Sequence, residues 1–211
     1  MNAPRRGRWY FDVISPYAYL YLKQFERLDP SLELELVPVL FAGLLKHWGS
    51  KGPAELPTKR IHTYQQCVFL ASQLDVPFRM PARHPFVPLK ALRLLAALGA
   101  PRTAVERAFD FVWGEGRDPE LEFEALGAAL GVGDAEELVA RPDVKERLVA
   151  NTERAIVDGV FGVPTVAIDY RIFWGVDTID WLNAFISDPQ MFERESMQHA
   201  ARAEVGVVRK T

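Results

Sequence analysis

Residues 8–20 read RWYFDVISPYAYL, and two periodicities meet inside them. Arg8–Ile14 is rich in aromatic and β-branched side chains that point to both faces, the composition of a strand buried inside a sheet. Ser15 and Pro16 break that run. From Ala18 onward the apolar positions are Tyr21, Leu22, Phe25 and Leu28, the spacing of an amphipathic helix. A helix tolerates proline best in its first turn, so Ser15 falls at or beside the N-cap. The pattern predicts a strand that passes directly into a helix at a serine.

Outward from this point, Asp29-Pro30 closes the helix and LELELV (Leu32–Val37) alternates with period two, predicting a second strand with Leu32, Leu34 and Leu36 inward. A helical crossover between two short strands implies a parallel, right-handed unit. From Leu44 to about Asp158 the alternation disappears and helical patterns take over. Ile61, Tyr64, Val68 and Ala71 mark one helix face, and Val105, Ala108, Phe109 and Val112 another. Asp118-Pro119 reads as a cap opening a helix over Glu120–Leu130, and Asp134 with Glu137 as a capping box. Pro142–Val157 carries Val144, Leu148 and Ala155 before Gly159, a C-cap. Strands return at Pro164–Ile168 and Arg171–Trp174, joined by Asp169-Tyr170, a hairpin-length link without the usual glycine. Asp177, with Asp180 three residues on, caps a helix carrying Ile179, Leu182, Phe185 and Ile186. The polar tail from Pro189 reads as a last helix fading into disorder. The expected organisation is a discontinuous α/β domain (8–45 and 159–190), an all-helical insertion (46–158) and a tail (191–211).

The 211 residues (23.9 kDa) are 49% apolar or aromatic and 25% charged, enough to build a core, which excludes a disordered or collagen-like chain. The 25 basic and 28 acidic side chains sum to −3, so no global basic field argues for nucleic acid. A single cysteine, Cys67, excludes an intrachain disulfide and a C-x-x-C pair. No apolar run approaches the roughly 20 residues that span a bilayer. Met1–Arg8 has no apolar h-region after it, so it does not read as a signal peptide, and a soluble cytoplasmic protein without a membrane partner is expected.

Chemistry-bearing residues are few. Ser15, at a helix N-terminus, can donate to an anion or stabilise a thiolate bound beside it; it can equally be only a cap. Pro164, in Gly162–Thr165, opens a strand. A cis bond there would turn the backbone of Val163 outward to pair with an extended peptide, and a trans, strand-initiating proline is the alternative. Asp177 is read as a helix cap, or as a carboxylate holding an ammonium group. His47, His62, His84 and His199 have no metal-ligand spacing, so no metal site is expected. Each reads as solvated or hydrogen-bonded, and Cys67 as a core residue. Arg79, Arg83, Lys90 and Arg93 place positive charge around His84–Phe86, and Lys51 lies in a flexible basic loop.

Six blocks in order resemble one family: FDVISPYAYL (Phe11–Leu20), GSKGPAE (Gly49–Glu55), PTKR (Pro57–Arg60), HPFVPL (His84–Leu89), GVFGVPT (Gly159–Thr165) and FWGVDTIDWL (Phe173–Leu182). They are similar to the 2-hydroxychromene-2-carboxylate isomerases and kappa-class glutathione transferases, which share a thioredoxin-like fold with DsbA-type disulfide oxidoreductases. The resemblance implies a thioredoxin-like domain with an all-helical insertion, glutathione as cofactor and a homodimer. It implies that Ser15 holds the glutathione sulfur as thiolate, and that Tyr17, Ser50, Lys51, Val163, Pro164, Val176 and Asp177 complete the glutathione site. Ser50 stands where relatives often carry asparagine, Val176 where a polar residue is common, and Thr178 where arginine is frequent. The implied reaction is isomerisation of 2-hydroxychromene-2-carboxylate to trans-o-hydroxybenzylidenepyruvate in aromatic hydrocarbon catabolism. Trp48, Phe86 and Trp113 are candidate apolar surfaces for that small aromatic carboxylate, and Lys51 or Arg83 its charge partners. A kappa-like transferase or peroxidase, and a non-catalytic thioredoxin-like peptide-binding module, are the alternatives.

Overall fold

The computed structural model describes residues 5–207. Strand β1 (Arg5–Phe11) lies in a four-stranded sheet of order β2-β1-β3-β4, with β2 (Leu32–Pro38), β3 (Thr165–Ile168) and β4 (Arg171–Trp174). The pairing of β1 with β2 is parallel, as the crossover implied, and the pairings β1–β3 and β3–β4 are antiparallel. Trp9, Tyr10 and Phe11 are fully buried, the two-faced burial their composition called for. Strand β1 ends three residues earlier than expected, because Asp12–Ile14 turns away from the sheet. In β2, at the sheet edge, Leu32, Leu34 and Leu36 are half-buried and Glu33 and Glu35 exposed, matching the alternation.

Helix α1 (Pro16–Leu22) follows and is shorter than its apolar spacing suggested; a 3-10 turn, Phe25–Arg27, takes over. Between β2 and β3 every regular element is helical: α2 (Phe41–Trp48), α3 (Pro57–Gln73), α4 (Leu89–Ala97), α5 (Arg102–Phe109), α6 (Phe123–Ala129), α7 (Ala135–Ala140) and α8 (Pro142–Val157). Residue 46 therefore falls inside α2. Helix α5 runs on into a π turn, Asp110–Gly114. Helix α9 (Ile179–Ser187) packs on the sheet, α10 (Glu195–Ala201) follows a further 3-10 turn, and residues 208–211 of the tail lie outside the described residues.

The two faces of the sheet bury different sets of side chains. Trp9, Phe11, Val166 and Phe173 face α1, α9 and the helical segment, with Phe109 of α5 at 5.6 Å from the Phe11 ring. Tyr10, Val37 and Ala167 face α2 and α8 through Leu44 and Ala155. Each such aromatic or aliphatic side chain contributes about 2 kcal/mol by leaving water.

Three local readings need correction. In α3 the buried residues are Thr63, Cys67 and Ala71, while Ile61 and Val68 are exposed. Small side chains allow α3 to approach α1 closely, and the larger apolar residues point outward. Helix α6 starts at Phe123 rather than Glu120, because the Asp118 carboxylate holds the Glu120 and Leu121 amides in a turn. Asp134 precedes α7 without a side-chain capping bond. By contrast, α8 spans Pro142–Val157 as read, and Gly159 takes the left-handed conformation.

Candidate functional site

The site begins where β1 stops. Ser15 is the N-cap of α1, and its Oγ accepts the Ala18 N–H at 3.2 Å. Its hydroxyl also donates to the Val163 carbonyl at 3.4 Å, across 148 residues of chain. That second contact sits at the long limit for a hydroxyl donor, so the proton is free to move to a stronger, charged acceptor. Ser15 is 8% exposed, at the margin of solvent.

The loop that carries Ser15 is pinned from several elements. The Phe11 carbonyl accepts the Val39 N–H, the Val13 carbonyl accepts the Trp113 indole N–H at 2.8 Å, and the Ile14 carbonyl lies 2.8 Å from His84 Nε2. An acceptor there fixes the proton on Nε2, which leaves Nδ1 to accept from the Tyr64 hydroxyl at 2.6 Å. Burial lowers the His84 pKa, which favours the neutral ring. Asp12 closes the same loop from below: its carboxylate accepts the Ile14 N–H, and its backbone carbonyl the Ser15 N–H.

The opposite wall is the approach to β3. The Val163–Pro164 peptide is cis. The Pro164 carbonyl accepts the Gly175 N–H at 3.0 Å, which draws the Gly175–Thr178 turn to the same corner. Gly175 adopts φ +109°, open to glycine but strained for other residues. Asp177 is not the cap expected: Thr178 takes the N-cap position of α9, its hydroxyl donating to the Gly175 carbonyl at 2.9 Å. The Asp177 carboxylate is left exposed. It lies within electrostatic reach of Tyr17, whose pKa is raised by burial first, then by Cys67 and by the Asp177 charge. Val176 is half-buried beside them.

A third side comes from the end of α2. Gly49, at φ +62°, terminates that helix, and the Ser50 N–H returns to the Leu45 carbonyl. Ser50 and Lys51 follow, both exposed. Trp48 ties this end to the approach to Val163, donating its indole N–H to the Val160 carbonyl at 2.9 Å.

The fold thus connects Ser15, Val163, Pro164 and Gly175 through hydrogen bonds, with Tyr17 and Asp177 coupled beside them. The substrate-binding candidates separate. Trp113 is wholly buried, stacked on Phe78 at 5.7 Å, and Phe86 is 5% exposed, so neither offers a face to a ligand. Trp113 instead holds the Ser15 loop through the Val13 carbonyl, and Phe86 packs against His84 and Trp113. Arg83 is committed to Asp118 at 2.8 Å and Glu120 at 3.1 Å. Trp48 keeps an exposed ring. Sequence reading missed Asp12, recognisable only from its partners, and the exposed pair Phe161 and Trp174, 5.0 Å apart next to Val163; His84, read as solvated or hydrogen-bonded, is hydrogen-bonded at both ring nitrogens. The GVFGVPT block contained Phe161, but nothing in the sequence marks it as exposed.

Chemically, the corner offers a hydroxyl proton, a backbone edge and an exposed carboxylate, with a cation on the adjoining loop. It offers no thiol: Cys67 is buried and its pKa pushed up to about 12 by burial.

The family model of the DSBA-like thioredoxin domain matches residues 8–187. Glutathione S-transferase kappa 1 of Homo sapiens is 31% identical, over 89% of this chain and 93% of its own. The 2-hydroxychromene-2-carboxylate isomerase of Sphingobium xenophagum is 29% identical, over 85% of this chain and 97% of its own. A solved 2-hydroxychromene-2-carboxylate isomerase superposes with a TM-score of 0.76 at 24% identity, covering 94% of this chain and 100% of that one.

Proposed function

The chain belongs to the DsbA-like thioredoxin domain family, and from that premise we propose that it is a glutathione-dependent isomerase of the 2-hydroxychromene-2-carboxylate type. One observation carries the reading: the Ser15 hydroxyl meets the Val163 carbonyl at the corner where a thioredoxin-like protein does its thiol chemistry, and no protein thiol is there. The donor set fits glutathione. Ser15 can hold a sulfur, the Val163 backbone can pair with an extended peptide, Asp177 can take an ammonium group and Lys51 a carboxylate.

Bound glutathione would supply a nucleophilic thiolate for reversible addition to the conjugated alkene of an aromatic carboxylate, allowing bond rotation before elimination. Ser15 donates its proton to the sulfur and so favours the ionised form, while Ala18 N–H keeps the hydroxyl oriented. Asp177, exposed beside Tyr17, orients the γ-glutamyl end. With Phe86 and Trp113 buried, the exposed rings of Trp48, Phe161 and Trp174 are the aromatic surfaces available to a flat substrate near Val163. The same reading takes the protein as a cytoplasmic homodimer in aromatic hydrocarbon catabolism; sedimentation of the purified chain tests the dimer.

Replacing Ser15 by alanine tests the mechanism. The expected result is a folded protein whose turnover of 2-hydroxychromene-2-carboxylate falls about 100-fold, the scale for loss of one donor to a reacting anion. Turnover equal to wild type overturns the assignment. The human kappa relative favours a second reading, glutathione conjugation with the same thiolate. Parallel assays with an aryl halide, a peroxide and the chromene carboxylate separate the two.

A further inference from the structure

Asp12 has no exposed surface and no ion-pair partner among the described residues. Its carboxylate accepts two backbone amides from different elements, Ile14 N–H at 3.0 Å and Phe41 N–H at 2.9 Å. The first belongs to the loop that sets Ser15. The second is the opening N–H of α2, whose own N-cap residue, Leu40, has no side chain able to bond it. Asp12 therefore caps α2 from outside that helix, and α2 leads at its other end to Ser50 and Lys51.

We propose that Asp12 is a positioning residue: its buried carboxylate clasps the Ser15 loop to the start of α2 and thereby fixes the two sides of the thiol-binding corner relative to each other. The inference rests on the function proposed above. Both partners of the carboxylate are donors, one on each oxygen, so the ionised form holds both most strongly. Protonation removes the charge from both contacts and leaves the oxygen that takes the proton a poor acceptor. Burial pushes the Asp12 pKa from 3.8 up to about 7, against the opposing pull of the two amides. The clasp is tightest above neutrality and loosens as pH falls.

Other titratable groups on the surrounding elements are distinguishable. His84 touches the same loop but is held below its ordinary value by burial. On α1, Tyr17 is raised, and on β1, Tyr10 is raised to about 12, by burial first and then by its bond to Asp158. On α2, Lys46 and His47 are exposed at the end away from Phe41. Helix α8 meets the start of α2 through Thr152, which is neutral.

The probe is S-methylglutathione, which lacks an ionisable thiol. Its affinity for the wild-type protein, measured by calorimetry, is expected to weaken about tenfold as pH falls from about 8 to about 6, the scale of one hydrogen bond to a charged group. Over the same range the Ile14 and Phe41 amide proton resonances should move together with a midpoint near 7. In Asp12→Asn the affinity should be weak and flat with pH, and neither amide should titrate. Wild-type affinity that stays constant while the amides titrate overturns the positioning role. Amides that do not titrate, or an Asp12→Asn protein that binds like wild type, overturn the clasp itself. Absence of binding by wild type at every pH overturns the glutathione reading and this inference's link to it, a failure distinct from the others. The wild-type pH series needs no variant to fold.

Discussion

Ser15 and Asp12 sit three positions apart, and their burial has opposite consequences. Ser15 is a neutral group that loses little when covered, because its oxygen and proton both find backbone partners. Asp12 carries a charge into the interior with only two amides to compensate, and its pKa rises to about 7. A carboxyl group that binds its proton more tightly when folded than when unfolded weakens the fold as pH rises between the two pKa values. We expect wild type to lose stability relative to Asp12→Asn as pH climbs from about 4 to about 7, by up to roughly 1.4 kcal/mol per unit. Urea unfolding of both proteins across that range checks the sign; a difference that grows in favour of wild type contradicts it. Ser15 was legible because a serine before a proline at a strand–helix junction has one ordinary place to go. Asp12 was not, since nothing in F-D-V-I shows which backbone amides will surround the carboxylate.

Among the elements, the β3–β4 hairpin shows local chemistry obeyed without the usual residue. Asp169 and Tyr170 form its link, both in the left-handed region, at φ +47° and +62°. Such a turn follows the right-handed twist of the strands but prefers glycine or asparagine. Asp169 is compensated by an ion pair with Arg5, whereas Tyr170 is fully exposed and gains nothing visible from its side chain. Relief of ~1–2 kcal/mol of backbone strain outweighs the ~0.5–1 kcal/mol that glycine's freedom costs, so Tyr170→Gly should stabilise the protein by about 0.5–1 kcal/mol. A lower urea midpoint for that variant would show the tyrosine to be stabilising. Strand and helix types were readable from period at this scale. Capping was less so: Asp177 and Thr178 are both good cap residues, yet Thr178 holds the N-cap position without a side-chain bond to the helix, its hydroxyl donating back to the Gly175 carbonyl. The face of α3 was misread by one position because its buried side is made of small residues, which carry little hydrophobic signal.

At the scale of the molecule, the helical segment and the sheet share one core. Phe109 of α5 stands 6.1 Å from Trp9 and 5.6 Å from Phe11, and Trp113 reaches the Val13 carbonyl. Phe109→Ala should cost about 3–5 kcal/mol, and far-ultraviolet dichroism and tryptophan fluorescence should still report one coincident transition. Two separated transitions would mean that the helices fold apart from the sheet. This continuity explains how residues of the helical segment come to hold the Ser15 loop: His84 and Trp113 are distant from it in sequence and adjacent in space.

The order of strands and helices, the serine at the first helix, the proline at the third strand and the absence of a usable cysteine pair were determined by the sequence alone. All of them follow from side-chain periodicity and residue type over a few neighbouring positions. Only the tertiary structure decided that Ser15 meets Val163, that Trp113 and Phe86 are buried, and that Asp12 bridges a loop and a helix. Each of these depends on which backbone groups arrive from elsewhere in the chain, and hydrogen bonding and desolvation act on distances in space that spacing in sequence does not specify.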